Sequence, residues 1–166
     1  MPATYEPIAT TTLGSAASSI TFSSISSAYT DLRLVLVGTT ATSGAIYLQF
    51  NSDTGSNYSS TSLEGRGTTA NSQRLSNRTK IELEGYWFAN TSTTPFLQTV
   101  DVFSYAGSTN KTVLTTASND QNGSGEVLRT VGLWRSTSAI TRIDIVAGTP
   151  NLATGTTATL YGILKA

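Results

Sequence analysis

The stretch Tyr29–Phe50, YTDLRLVLVGTTATSGAIYLQF, decides the fold class. Leu32, Leu34 and Leu36 alternate with Asp31, Arg33, Val35 and Val37, and Ile46, Leu48 and Phe50 alternate with Ala45, Tyr47 and Gln49. A repeat of two is the period of a β-strand, because successive side chains point to opposite faces. GTTATSG lies between the two runs with a glycine at each end, which predicts a hairpin with one apolar face to bury.

Outward from this stretch the same pattern recurs. Tyr5–Leu13 predicts an opening extended segment that Pro7 confines to a sheet edge, with residues 1–14 as an extended N-terminal arm. SITFSSI at Ser19–Ile25, YSSTSLEG at Tyr58–Gly65 and KIELEGYWF at Lys80–Phe88 predict strands. So do Pro95–Tyr105, Lys111–Ala117, Val127–Trp134, Ile140–Val146 and Thr157–Leu164. Thr68–Asn77, with Leu75 as its one apolar anchor, predicts a mobile polar loop. NSDTGSN at Asn51–Asn57 and NDQNGSG at Asn119–Gly125 are turn clusters. About ten short strands without a helical period predict a single all-β domain over residues 1–166. Its expected architecture is an antiparallel β-sandwich, jelly-roll-like.

Composition narrows the chemistry. Charged residues make up 12% of the 166 positions, about half the ~25% of an average domain. Serine and threonine take their place at 52 positions. Short hydroxyl side chains suit turns and solvent-facing strand positions. Net charge is zero, with 10 basic and 10 acidic residues, so nothing steers the chain toward nucleic acid or an anionic membrane. Cysteine and histidine are both absent. Disulfides, thiolate metal sites, the commonest general base and the commonest metal ligand go with them. No apolar run approaches the ~20 residues of a membrane-spanning helix, and MPATYEPIATTT lacks a secretory pattern.

Few constellations remain. NSDTGSN, with Asn51, Asp53, Gly55 and Asn57, faintly matches an oxygen-ligand calcium loop, but it has one carboxylate and no distal glutamate, so the turn reading is favoured. Glu82 and Glu84 share a strand face; paired carboxylates serve glycoside hydrolysis, but nothing else in the sequence makes a cleft, so a solvated face with Lys80 as counter-charge is favoured. Tyr86, Trp87 and Phe88 cannot all face inward on one strand. With Tyr58, Tyr86 and Trp87 are the candidates for a subunit interface or for stacking on sugar rings. Five Asn-x-Ser/Thr sequons, at Asn57, Asn77, Asn90, Asn110 and Asn122, are expected by chance at this Ser/Thr content. No catalytic site, metal site or cofactor is expected.

Several segments taken together carry a family likeness. YEPIATTTLGSAASSITFSSISSAYTDLRLVLVG (Tyr5–Gly38), NKTVLTTAS (Asn110–Ser118), GLWRSTSAITRIDI (Gly132–Ile145) and the closing TATLYGIL resemble, in the same order, a diffuse group of tailed-bacteriophage virion proteins. The likeness spans most of the chain and skips Thr68–Asn77. It implies a β-sandwich head-decoration, cement or tail-associated protein, acting as a homo-oligomer, a trimer, on the phage major capsid protein. It further implies synthesis in the host cytoplasm and residence on the capsid surface. The alternative it leaves open is a tail-fibre or baseplate module that binds host-surface glycans. It supplies no catalytic residues.

Overall fold

The computed structural model describes residues 4–39, 44–83, 94–120, 122–123, 125–149 and 151–164. They form twelve antiparallel strands in two sheets, and no helix occurs among the described residues. The strands are β1 (Tyr5–Thr12), β2 (Ser19–Phe22), β3 (Asp31–Gly38), β4 (Ile46–Phe50), β5 (Tyr58–Arg66), β6 (Thr69–Arg78), β7 (Ile81–Glu82), β8 (Phe96–Phe103), β9 (Lys111–Asn119), β10 (Glu126–Trp134), β11 (Ile143–Ala147) and β12 (Thr157–Ile163). The large sheet runs β1-β12-β3-β8-β9-β10-β5-β6 and the small one β2-β11-β4-β7.

The winding is that of a jelly roll with additions. Taken along the chain, β1, β2, β3, β4, β7, β8, β11 and β12 switch layers at every step but β4 to β7, which pair, and give two four-stranded sheets. Two hairpins, β5–β6 and β9–β10, are inserted into this frame, and both add to the β8 side of the large sheet. One layer is thereby twice as wide as the other.

The core forms where the apolar halves of the alternating runs meet. Leu32, Leu34 and Leu36 from β3 and Ala158 and Leu160 from β12 face Ile46, Leu48 and Phe50 from β4 and Ile143 and Ile145 from β11, all buried. Each such side chain removed from water contributes roughly 1.5–3 kcal/mol.

Tyr29–Phe50 contributes two strands with the expected faces, but they do not form a hairpin. β3 pairs with β12 and β8, whereas β4 pairs with β11 and β7 in the opposite layer. A hairpin would have left both apolar faces on one side of one sheet. Crossing to the other layer sets them against each other. Thr68–Asn77 is likewise mostly strand and not a loop: the ten-residue β6 pairs with β5 through a turn at Gly67, where φ is +54°. Its residues are nearly all exposed, so it carries no hydrophobic period to read. β1 lies at a sheet edge, paired with β12, with a bulge just after Pro7. The N-terminal segment from Tyr5 is thus a sheet strand.

Candidate interaction surface

The outward face of the large sheet is the most unusual surface of the molecule. On a solvated sandwich the outward positions of each strand carry polar side chains. Here Leu63 is 61% exposed, Val127 54% and Val131 50%, with Val37, Leu97, Phe103 and Tyr5 close behind. Register places them in rows. Val37, Leu97, Ser118, Val127 and Gly65 lie opposite one another across five adjoining strands. A shallow groove of about 750 Å3 follows that row, and Gly65 contributes no side chain to fill it. The next row sets Thr10, Thr159, Thr99 and Thr116 beside Val35, Arg129, Leu63 and Ser72, and the Thr10 and Thr159 hydroxyls are bonded at 3.1 Å. Arg33 and Asp101, cross-strand neighbours on the same face, form a two-pronged ion pair at 2.6 and 2.8 Å. The hydrogen bond it donates to Asp101 is the main reason the guanidinium pKa is raised.

The inner face of the added hairpins carries buried polar groups among its apolar ones. Glu126, at the start of β10, is 6% exposed, and among the described residues its carboxylate oxygens have no hydrogen-bond partner. Burial, then the charge of Glu64, push its pKa to about 7 against the pull of Arg66. Glu64, Glu82, Ser60, Ser62, Gln73 and Thr130 line a narrow cleft between β5, β10 and β7. Glu82 is raised by burial, with Arg78 opposing. Lys80 sits not as its counter-ion but over the Tyr47 ring, 4.7 Å from the centroid. Glu84, Tyr86 and Trp87 lie outside the described residues.

Tyr58 is in the core. It is fully buried, stacked 6.3 Å from Trp134, and its hydroxyl receives the Phe50 N–H at 3.1 Å. Its pKa is pushed up to about 12, chiefly by burial. Such a ring offers no face to a sugar. The neighbouring NSDTGSN turn serves the same cluster. Asp53 accepts hydrogen bonds from the Gly55 N–H (2.8 Å), Asn57 Nδ2 (2.9 Å) and Trp134 Nε1 (2.7 Å). Burial pushes its pKa up, yet these three donors together hold it below the ordinary value. A carboxylate so engaged is a strut for Trp134. Among the described residues no group of three Asp, Glu, His or Cys side chains is placed to hold a metal.

One buried charge gave no sign in the sequence. Lys111 is fully buried, and Nζ donates to the carbonyls of Gly107 at 2.7 Å, Thr109, and Ser136 at 3.4 Å. Burial lowers its pKa. It pins the β8–β9 connection to the segment after β10, which is a structural duty.

Comparison with known proteins adds little. No family model matches the chain, and no curated protein does. Among solved structures, the crystal structure of a galectin from Caenorhabditis elegans is similar at 12% identity, covering 91% of this chain and 94% of that one, with a TM-score of 0.34. A score that low carries no argument about function.

Proposed function

We propose that this chain is a bacteriophage virion structural protein, a decoration or cement subunit that stabilises the head by binding across major capsid protein subunits. It acts as a homo-oligomer and carries out no reaction. It is made in the host cytoplasm and ends on the capsid surface. The observation that carries the assembly part is the outward face of the large sheet, where Leu63, Val127 and Val131 stand at least half exposed. Large apolar side chains gathered on one outward face in this way favour a surface that another protein covers.

The phage assignment rests on the resemblance of the sequence segments. Their residues hold the architecture together. Trp134, from GLWRST, donates to Asp53, and Arg135 donates to the Ser56 carbonyl and to Asn77. Tyr29 of the YTDL segment lies on Gly162 of LYGI. The likeness therefore speaks for a shared frame. The test is co-sedimentation of the purified protein with purified phage shells that lack it. Saturable binding and a raised melting temperature of the shell are expected. Shells that pellet without the protein and melt unchanged would refute the reading.

A further inference from the structure

We infer that the outward face of the large sheet is covered by the same face of a second copy of this chain, through a two-fold axis that lies in the interface and crosses β8 level with Val100. The inference deepens the assembly reading above and rests on it for its motive, but its geometry is independent of any capsid.

Three features choose this occupant. The first is area. Eight strands spaced ~4.8 Å apart and about eight residues long, at ~3.3 Å per residue, present roughly 900 Å2. A standard stable interface covers about 800 Å2 on each partner, so the face is sufficient by itself. The second is charge. Arg33 and Asp101 already neutralise each other within the chain, so the centre of the face asks no counter-charge of a partner and does not repel its own copy. A two-fold at this level sets Arg33 over the partner's Val35, Asp101 over its Thr99 and Arg129 over its Val131. No like charges meet.

The third is shape. Leu97 and Phe103 both point outward on β8, three residues to either side of Val100 and roughly 20 Å apart at the rise of a strand. The groove along Val37, Leu97, Val127 and Gly65 lies at the Leu97 end. Phe103, 44% exposed, stands at the other. A two-fold symmetric contact places residue i on j and j on i, so each copy's Phe103 enters the other's groove. Two sheets packed face to face in this way form an additional apolar layer ~10 Å thick. The proposed subunit number becomes two, where the resemblance implies three.

The experiment is sedimentation equilibrium on the full chain at tens of micromolar. The wild type is expected at the mass of two chains. Leu97→Asp and Phe103→Arg, both at exposed positions, are each expected to sediment as one chain with an unchanged circular dichroism spectrum. Combined, they place Asp against Arg across the two-fold, and the two-chain mass is expected to return. Val131→Lys, on the same face, serves where either variant fails to fold, and it too is expected to give one chain. A one-chain or three-chain wild type would overturn the inference, as would a two-chain mass that Leu97→Asp or Val131→Lys leaves intact, or a double variant that stays monomeric. A two-chain protein that ignores phage shells would sink the capsid reading and leave this pairing standing.

Discussion

Replacing Glu126 with glutamine tests the physical reading of the widened sheet. Glu126 opens β10, opposite Arg66 of β5 and Asn119 of β9, and its side chain points beneath the sheet. Burial and the nearby Glu64 raise its pKa from 4.5 to about 7. The folded chain therefore holds this proton more tightly than the unfolded chain. The resulting stability is complete below pH ~4.5, is lost as pH rises through ~7, and then levels off. At about 1.4 kcal/mol per pH unit, a shift of this size amounts to roughly 3 kcal/mol, most of it lost between pH 5 and pH 8. The chain has no histidine, so no other side chain ordinarily titrates in that window. Glutamine has the same shape and cannot ionise. Urea unfolding followed by tryptophan fluorescence at pH 5, 6.5 and 8 should show the wild type losing about 2–3 kcal/mol while Glu126→Gln stays nearly flat, so that the variant is the more stable protein at pH 8. If the two proteins lose stability in parallel, the carboxyl is not held neutral by its burial and the reasoning fails.

Three other substitutions probe separate parts of the frame. Lys111→Met strips three carbonyls of their buried donor and should lower stability by roughly 2–4 kcal/mol in urea, with the far-ultraviolet spectrum retained. Gly162→Ala would put a Cβ 2.3 Å from the Tyr29 ring. We expect a cost of about 1–3 kcal/mol from overpacking, and a double-mutant cycle with Tyr29→Ala should recover part of it; strictly additive costs would mean that the two do not touch. Asp53→Ala should cost about 1–3 kcal/mol by orphaning Trp134 Nε1 and its companions. Because the Asp53 pKa is lowered in the fold, its contribution is present above the unfolded value and fades as pH falls through the folded one. The deficit of the variant should accordingly shrink in acid, as read by the shift in Trp134 fluorescence on unfolding.

The faces of the strands were legible in the sequence, and their partners were not. A period of two states which side of a strand is apolar, and Leu32, Leu34 and Leu36 are buried as that period requires. It says nothing about which strand lies alongside. The seven-residue GTTATSG link reads equally well as a hairpin loop or as a crossover between layers. Only the need to set two apolar faces against each other decides, and that is a property of the assembled core. β6 was invisible for a related reason. TANSQRLSNR is held by its backbone ladder to β5 and buries almost nothing, so no side-chain pattern marks it. Pro7 did mark an edge, because a residue without an N–H fits poorly in a central strand. Lys111 and Tyr58 show the limit from the other side. Their burial is set by carbonyls and rings brought in from Gly107, Ser136 and Trp134, distant along the chain or folded back upon it.

The two inserted hairpins give a physical reason for the whole arrangement. Eight jelly-roll strands alone would make two balanced layers, each covering the other. Adding β9–β10 and β5–β6 to one edge extends the large sheet past its partner, where β7, and β4 through Phe50 against Trp134 and Tyr58, are the parts of the small sheet that reach β10 and β5. The inner face of the extension accordingly turns mixed, with Ser60, Thr115, Glu126 and Thr130 set among Tyr58, Val113, Ala117, Leu128 and Trp134. It gives up core burial, and at Glu126 it holds a carboxyl that water would rather ionise. The outer face of the same four strands carries Leu63, Val127 and Val131, the three most exposed large apolar side chains described. A lone sandwich gains nothing from polar residues beneath an extension and apolar ones above it. Exposed apolar side chains on the outer face are what a sheet needs when its outer surface is to become a second interior. On the pairing inferred above the width serves as an interface, and the hairpins that supply it are the part of the chain to remove. With Tyr58 kept for the core, a chain that lacks the rest of β5–β6 should still fold, while the area left to a partner falls by about a quarter, toward the lower limit for a specific contact.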